Sequence, residues 1–564
     1  MTKFLITSAI PYVNGVKHLG NLVGSLLPAD VHARFRRQLG DEVLFICGTD
    51  EHGTPTELAA TDVGLPFREF CDRQHARQAD IYRRFGLSFD QFGRSSSPAN
   101  HALTQHFYRR LDEEGLIEER DVQQVWSPGD RRFLPDRYIV GICPHCGAQD
   151  ARGDQCEACG TLLDPPDLID PRSAISGDKS LELCSSRHLF LRQSQLVGRL
   201  RAWIDTRDGW PPFVTSLAKS WLTNELRDRC ITRDLSWGIP VPRPGFENKV
   251  FYVWFDAPIA YIAATQTWSA GDPARRDWRE WWADSKSTQY IQFLGKDNVP
   301  FHAVSFPATL LGSREPWKTV DVIKGFHWLT YSGGKFSTSK NRGVFTDAAL
   351  EELPPDLWRW WLIANAPESS DADFTIDRFV ADVNKDLADV FGNLCHRVLV
   401  YAARTFDHRI PFGGQIGPDE RALAGEVDAR LAAIRSHHER LEFRRAAAET
   451  RALWVVANVF LQRAAPWSAS ADRAAVTTRV ALNLVRLCAT AAHSIIPFLS
   501  GVVLGAFGDR RTVPRWPSDG IAKLLDSNAG LAITPTDRLV DKLGDADILR
   551  LKRRFGDREK SASS

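Results

Sequence analysis

The chain has 564 residues, 43% of them hydrophobic and 25% charged, with a formal net charge of +1. That composition excludes wholesale disorder and a membrane-embedded class, and the length allows about two to four domains. Because the overall field is weak, a nucleic-acid partner would have to be met by local basic patches. The first residues, Met-Thr-Lys-Phe-Leu-Ile-Thr, carry no signal-peptide pattern, and no apolar stretch approaches a membrane span, so a cytoplasmic protein is expected. Ten cysteines in so long a chain do not suggest a disulfide framework. Cys47, Cys71, Cys184, Cys230, Cys395 and Cys488 are scattered and read as small buried hydrophobes.

In chain order, Phe4-Leu5-Ile6-Thr7 reads as a strand and Ile10 to Gly20 as a loop. Leu22, Leu26, Ala29, Val31 and Phe35 follow as a helix, and Glu42 to Cys47 as a second strand. This βαβ pattern predicts a parallel sheet. His18-Leu19-Gly20-Asn21 opens the helix, where a glycine lets backbone approach a phosphate and the helix N-terminus favours negative charge. Alone, these four residues also describe an ordinary helix cap. Residues 120 to 185 are rich in Pro, Gly, Cys and Asp and read as an inserted module. Within it, Cys143-Pro-His-Cys146 and Cys156-Glu-Ala-Cys159 are two knuckles nine residues apart. Four thiolates at that spacing close a tetrahedral zinc site with no open position, so one structural zinc is expected; a redox pair is the alternative. His145 reads as a bystander. Val250 to Trp254 and Tyr290 to Leu294 read as strands resuming the sheet. Gly333-Gly334-Lys335-Phe336-Ser337-Thr338-Ser339-Lys340 combines mobility, charge and hydroxyls, which suits a departing pyrophosphate; a solvated hairpin turn is its plain reading. From about Thr375 the periodicity is helical, through Val383, Leu387, Val390, Phe391 and Leu394 and on to about residue 508. A polar tail from Thr536 holds one amphipathic piece, Ala546 to Phe555.

Together the two loops change the reading. Pro11 to Asn21, ending in His18-Leu19-Gly20-Asn21, resembles the first signature of class I aminoacyl-tRNA synthetases, HIGH. Lys335-Phe336-Ser337-Thr338-Ser339 resembles the second, KMSKS. Phe45 to Thr54, Ser236 to Pro240, Val253 to Pro258 and Gly295 to His302 narrow the resemblance to the methionyl-tRNA synthetase family, over roughly residues 4 to 556. The wording of Lys296 to His302 is closer to archaeal and eukaryotic members. The family's second lysine is Thr338 here, with Lys340 and Arg342 nearby to supply the charge. Such relatives often carry a second knuckle upstream of Arg132-Phe133-Leu134-Pro135-Asp136-Arg137-Tyr138. Ser127 and Asp130 stand in its place, so one zinc is expected, with Cys184 a remnant of the lost site.

The resemblance implies a Rossmann-like parallel-sheet α/β catalytic domain in two halves, 1–115 and 231–340. The connective zinc-knuckle module 116–230 separates them. A signature-loop and stem-contact region, 341–375, a helical anticodon-binding domain, 376–534, and a tail, 535–564, follow. It implies ATP contacts at His18, Gly20, Asn21, Gly295, Asp297, Lys335, Ser337, Thr338 and Ser339, with Mg²⁺ accompanying ATP. His18, Asn21 and Lys335 are the catalytic set. Ile10, Tyr12, Asp50, Trp254, Ala257, Pro258, Tyr261, Asn298 and His302 are implied for methionine, and Asn393, Arg397 and Trp467 for the anticodon. Without the resemblance, the aromatics, Trp467 included, read as core. The partners implied are ATP, L-methionine and tRNA(Met), initiator and elongator, for a monomer. Alternatives are a paralogue that activates methionine for another pathway and a non-catalytic tRNA-binding protein. Met1 is the only methionine in the chain, where average composition gives roughly a dozen. Compositional bias and oxidation resistance are two readings. The functional one is a second, stress- or resistance-associated copy, translated when elongator methionyl-tRNA is scarce.

Overall fold

In the computed structural model, β1 (Lys3–Ser8), β2 (Glu42–Thr49), β3 (Gln91–Arg94), β4 (Thr288–Gly295) and β5 (Val322–Phe326) form one sheet. Its order is β5-β4-β1-β2-β3, and every pairing is parallel. The structure describes residues 2–135, 138–153, 156, 159, 161, 163, 167–223, 226–283, 287–337, 342–526 and 528–556. Strands buried on both faces need continuous apolar runs, and alternate side chains serve opposite cores. Phe4, Ile6 and Phe45 join one core, with the helix that follows β1 and the C-terminal helices. Leu5, Leu44 and Ile46 join the other, with Phe107, Tyr261 and Trp282. Chain order runs outward from β1 through β2 to β3 on one side and through β4 to β5 on the other. A crevice therefore opens beyond the carboxyl ends of β1 and β4, where open α/β sheets bind ligands.

Between β3 and β4 the chain builds a four-stranded antiparallel sheet around the long pair Ile117–Ser127 and Glu182–Leu191. A three-stranded sheet carries the cysteine knuckles on a small core of its own, including Leu134, Tyr138, Ile139 and Leu168. Buried Glu57, on the helix after β2, ties this module down. One carboxylate oxygen accepts from Tyr138 Oη (2.8 Å) and Arg132 (3.1 Å), and the other from the backbone N–H groups of Ser236 (3.0 Å) and Trp237 (2.9 Å).

Helices Ile376–Val383 and Asn393–Thr405 run on through a π-helical stretch, and Pro418–Glu439, Phe443–Ala464 and Ala471–Ala492 pack beside them. The bundle shares a core with the parallel sheet. Arg359 and Asp30 pair at 2.7 Å across the junction, both fully buried. Arg359 also donates to the carbonyls of Ile495 and Phe85, which satisfies an ion pair that would otherwise be costly to bury. Among the described residues no helix is long and apolar enough to cross a membrane.

Two readings need correction, at Val250 to Trp254 and at Cys184, and the amphipathic C-terminal piece is borne out and gains a contact. Of Val250 to Trp254 only Val250–Phe251 is strand, and Val253–Asp256 is a helical turn. A short apolar run does not separate the two by periodicity, and tertiary hydrogen bonds to Trp254 and Asp256 decide it. The C-terminal piece is a docked helix, Asp545–Phe555, which buries Leu551 and Phe555 and accepts from Tyr331 Oη at the Phe555 carbonyl. Cys184 lies opposite Gln124 in the long strand pair. Side chains alternate, so Cys184 faces away from Ser127, which instead bonds Asp130 and Asp178 at 2.9 Å each. That geometry does not make Cys184 a partner in a former site with Ser127.

Candidate active site

The crevice holds a cleft of about 410 Å³. Its walls are the segments after β1 (Ile10, Tyr12), after β2 (Asp50), after β4 (Gly295, Asp297, Asn298) and after β5 (His327, Trp328), with the first-helix residues His18, Gly20 and Asn21 and hairpin residues Lys335 and Phe336. All nine residues expected around methionine line it, as do six of the nine expected around ATP. Ser337 does not; it pairs by backbone with Arg342 (N···O 3.0 and 2.9 Å). Thr338, Ser339 and Lys340 lie outside the described residues.

His18 caps its helix. Its Nδ1 accepts from the Asn21 N–H at 3.3 Å, and Asn21 Oδ1 accepts from the His18 N–H at 3.2 Å. Burial, with Lys17 beside it, lowers the imidazole to about 3. The ring is therefore neutral, and with Nδ1 accepting, its proton sits on Nε2. The plain and functional readings of this loop thus coincide: the cap sets the tautomer that a phosphate would meet. Lys335 is carried by an antiparallel hairpin, Leu329–Tyr331 with Gly334–Lys335, turned at Ser332 (φ 48°) and Gly333 (φ 78°), left-handed conformations that suit such turns. Arg342 donates to the carbonyls of Lys335 and Tyr331 at 2.9 Å each. Its guanidinium latches the hairpin, which argues against its replacing the lysine missing at Thr338. Lys335 and Lys296 lie 4.3 and 4.0 Å from the ring centroid of Trp328.

At the floor, Asp50 is 4% exposed, and its Oδ1 has no hydrogen-bond partner among the described residues. Burial, reinforced by Asp256 and Glu51, raises its carboxyl well above the usual range, with Lys17 opposing. Lys17, itself buried, is lowered to about 8. An acceptor left unmatched at the base of a cleft is a place for a ligand cation. Above it, Trp254 Nε1 donates to Tyr12 Oη at 2.9 Å, and Phe301 packs on the indole at 4.2 Å between centroids. Arg229 lies 4.9 Å from the same ring. His302 is lowered to about 4 by burial. Its Nδ1 is 3.0 Å from the Asn298 carbonyl and must donate there, so Nε2 accepts from Tyr261 Oη at 3.1 Å.

In the inserted module, the sulfurs of Cys143 and Cys159 are 3.9 Å apart and those of Cys146 and Cys156 3.6 Å; all four ligand atoms lie within 4.8 Å of one another. Sulfurs at about 2.3 Å around a tetrahedral zinc would be about 3.8 Å apart, so the residues fit the ion. In the helical bundle, Arg397 lies 5.1 Å from the Trp467 ring centroid, and Tyr401 meets the same ring edge-on. Trp467 is 48% exposed, so it is not a core residue, and Asn393 is exposed one turn before Arg397.

Residues 4–399 match the family model described as tRNA synthetases class I (M), and residues 410–560 match the anticodon binding domain of methionyl tRNA ligase. The chain belongs to the class I methionyl-tRNA synthetases. It is 54% identical to the methionine–tRNA ligase of Caulobacter vibrioides, over 99% of this chain and 100% of that one. Against the Streptomyces avermitilis ligase the figure is 53%, over 99% of each. Its function is that of a methionine–tRNA ligase. The fold matches that of Mycobacterium tuberculosis methionyl-tRNA synthetase in complex with methionyl-adenylate, with a TM-score of 0.75 and 24% identity over 96% of this chain and 99% of that one. These relatives are bacterial, and they do not support the expected leaning toward archaeal and eukaryotic members.

The sequence reading assigned no role to several residues of the enzyme's cleft. Lys17 stands inside the first motif, so its charge was visible but its burial was not. Phe301, Trp328 and Phe336 carry ring or cation contacts there, and Arg229, outside the cleft lining, lies against the Trp254 ring. An isolated aromatic or arginine gives no signal of such a contact until the chain is folded.

Proposed function

We propose that methionine binds with its ammonium on Asp50. Its thioether lies among Ile10, Tyr12, Trp254, Ala257, Pro258, Tyr261, Asn298 and His302, where sulfur–aromatic contact is favourable. ATP lies along His18, Gly20, Asn21, Gly295, Asp297 and Lys335, and Mg²⁺ enters with it as part of the substrate. The methionine carboxylate attacks the α-phosphorus, and pyrophosphate leaves. His18 Nε2–H, the Asn21 amide and the Lys335 ammonium stabilise the charge on the phosphates. No side-chain nucleophile is needed; positioning and charge do the work. A terminal adenosine hydroxyl of tRNA then attacks the carbonyl of the mixed anhydride, and AMP leaves.

The observation that carries this reading is the buried oxygen of Asp50, without a hydrogen-bond partner among the described residues, beneath an aromatic cleft overhung by both signature loops. Asn393, Arg397 and Trp467 read the anticodon, with the indole stacking on an unpaired base. Zinc on Cys143, Cys146, Cys156 and Cys159 cross-links the inserted module. Four thiolates leave it no open position for chemistry. The domain limits implied by the family resemblance and a cytoplasmic monomer complete the reading. The test is aminoacylation of initiator and elongator methionine tRNAs alongside methionine-dependent pyrophosphate exchange. Both tRNAs should be charged. Exchange without charging would favour a paralogue that activates methionine for another pathway.

A further inference from the structure

His18 does not stand alone against the cleft. Phe336, the residue after Lys335, lies against it with ring centroids 4.7 Å apart and planes at 24°, a stacked pair. Phe345 meets the imidazole edge-on at 6.4 Å. Two glycines make room. A Cβ on Gly20 would come within 3.0 Å of the imidazole and 3.4 Å of the Phe336 ring, and one on Gly343, at φ 121°, would strike Phe336 at 2.1 Å. Behind the ring stand Tyr331, at 5.5 Å between centroids, and the Arg342 latch across the hairpin. The first signature presents an imidazole and the second seats an aromatic face on it, although more than three hundred residues separate them. Stacked rings gain about 0.5–1.5 kcal/mol beyond burial, and the contact fixes ring orientation.

We propose that Phe336 is a positioning residue for adenylate formation: by stacking on His18 it holds the imidazole dry and aimed, and couples its placement to the seating of the second signature loop. The proposal rests on the reading of His18 as a phosphate-contacting donor. The ring's aromatic face is what matters, so an aliphatic side chain of similar size does not replace it. Charged groups sharing the cleft with the imidazole are Lys17 beside it, Lys335 on the hairpin, and Asp50 and Asp297 on the other walls. Burial keeps the imidazole neutral. With the face removed, water reaches the ring and its protonation moves back toward the ordinary range.

The experiment is methionine-dependent pyrophosphate exchange by the full chain from pH 5 to 9, comparing wild type, F336L, F336Y, H18A and the double variant H18A/F336L. F336L is expected to lower turnover about tenfold, leave KM for methionine within about twofold, and raise the acid limb of the rate profile by about one pH unit or more. F336Y keeps the stack and should stay near wild type. On the H18A background F336L should cost less than about twofold, since the partner is gone. If F336L fails to fold, F336I, which also lacks an aromatic face, carries the same expectation. The full tenfold loss recurring on H18A, or an unchanged F336L profile, would overturn the proposal while leaving His18 its role. Wild-type turnover in H18A would instead overturn the phosphate reading of His18, and the proposal with it.

Discussion

Lys335 and Trp467 show how one side chain can be assigned to one step. Lys335 is exposed at the hairpin tip, 4.3 Å from the Trp328 ring centroid. In the proposed reaction its ammonium would gain most as pyrophosphate departs, which places its effect in the transition state. Lys335→Ala is expected to slow exchange on the order of a hundredfold with KM for methionine within a few-fold. Unchanged turnover with a much higher methionine requirement would remove this role. Trp467 sits on the helical bundle, well away in the chain from the cleft residues, with Arg397 over its ring. Loss of one base stack at about 1–3 kcal/mol predicts roughly a ten- to hundredfold fall in kcat/KM for tRNA on Trp467→Ala, with exchange spared. Equal damage to both reactions would show a packing residue instead. The His18 and Lys335 motifs were legible because residue type and spacing carry them. The partners that finish them, Phe336 against His18 and Trp328 against Lys335, were not, because contact made only in the folded chain leaves no local pattern.

At the scale of elements, the inserted module is held by two devices: the four-cysteine cluster inside it and Glu57 beneath it. Its core is small, with Cys143 and Cys156 among its buried residues. A metal cross-link held by these cysteines would supply folding free energy that a larger core would provide by burial. Metal analysis is expected to find about one zinc per chain, and Cys156→Ser should remove it, lower the melting temperature and impair charging indirectly. Two zincs, or none in the wild type, would contradict this account. The module's spacing was readable directly from the cysteines. The expected strand Val250 to Trp254 shows the opposite case: five apolar residues support either state, and Tyr12 and His52, distant in sequence, bond Trp254 and Asp256 in the helical turn Val253–Asp256 that replaces its end.

Two predictions belong to the whole molecule. His438 and His493 are buried, the former stacked on Phe35 at 4.7 Å, and none of their four ring nitrogens has a hydrogen-bond partner among the described residues. Burial lowers both to about 3. Each is neutral when folded, and unfolding lets it bind a proton below the ordinary value of about 6.5. Their contribution is therefore complete above about pH 6.5 and is lost as pH falls toward 3, by as much as about 2 kcal/mol each at pH 5. Denaturant melts from pH 7.5 to 4.5 should show that decline, less steep in His438→Phe; an equal slope would mean this imidazole titrates normally. The second concerns Met1, the only methionine in 564 residues. A chain without internal methionine needs only initiator methionyl-tRNA, so its synthesis should resist methionine limitation better than that of a Met-containing control. Internal Met codons at tolerated surface sites should remove the advantage. Unchanged yield under starvation would leave compositional drift as the account.

Residue type and spacing alone determined the parallel sheet, the four-cysteine cluster, both signature motifs and the onset of the helical half near Thr375, because each is written in local periodicity or a short motif. Tertiary structure alone decided the rest. It showed that the two loops meet through His18 and Phe336, that Arg342 is spent on the hairpin, and that Cys184 faces away from Ser127. It also showed that the C-terminal helix docks under Tyr331 and that Asp50 keeps an unmatched oxygen in the cleft. These are outcomes of packing and desolvation between distant segments, and burial is a property of the folded surroundings rather than of the residue.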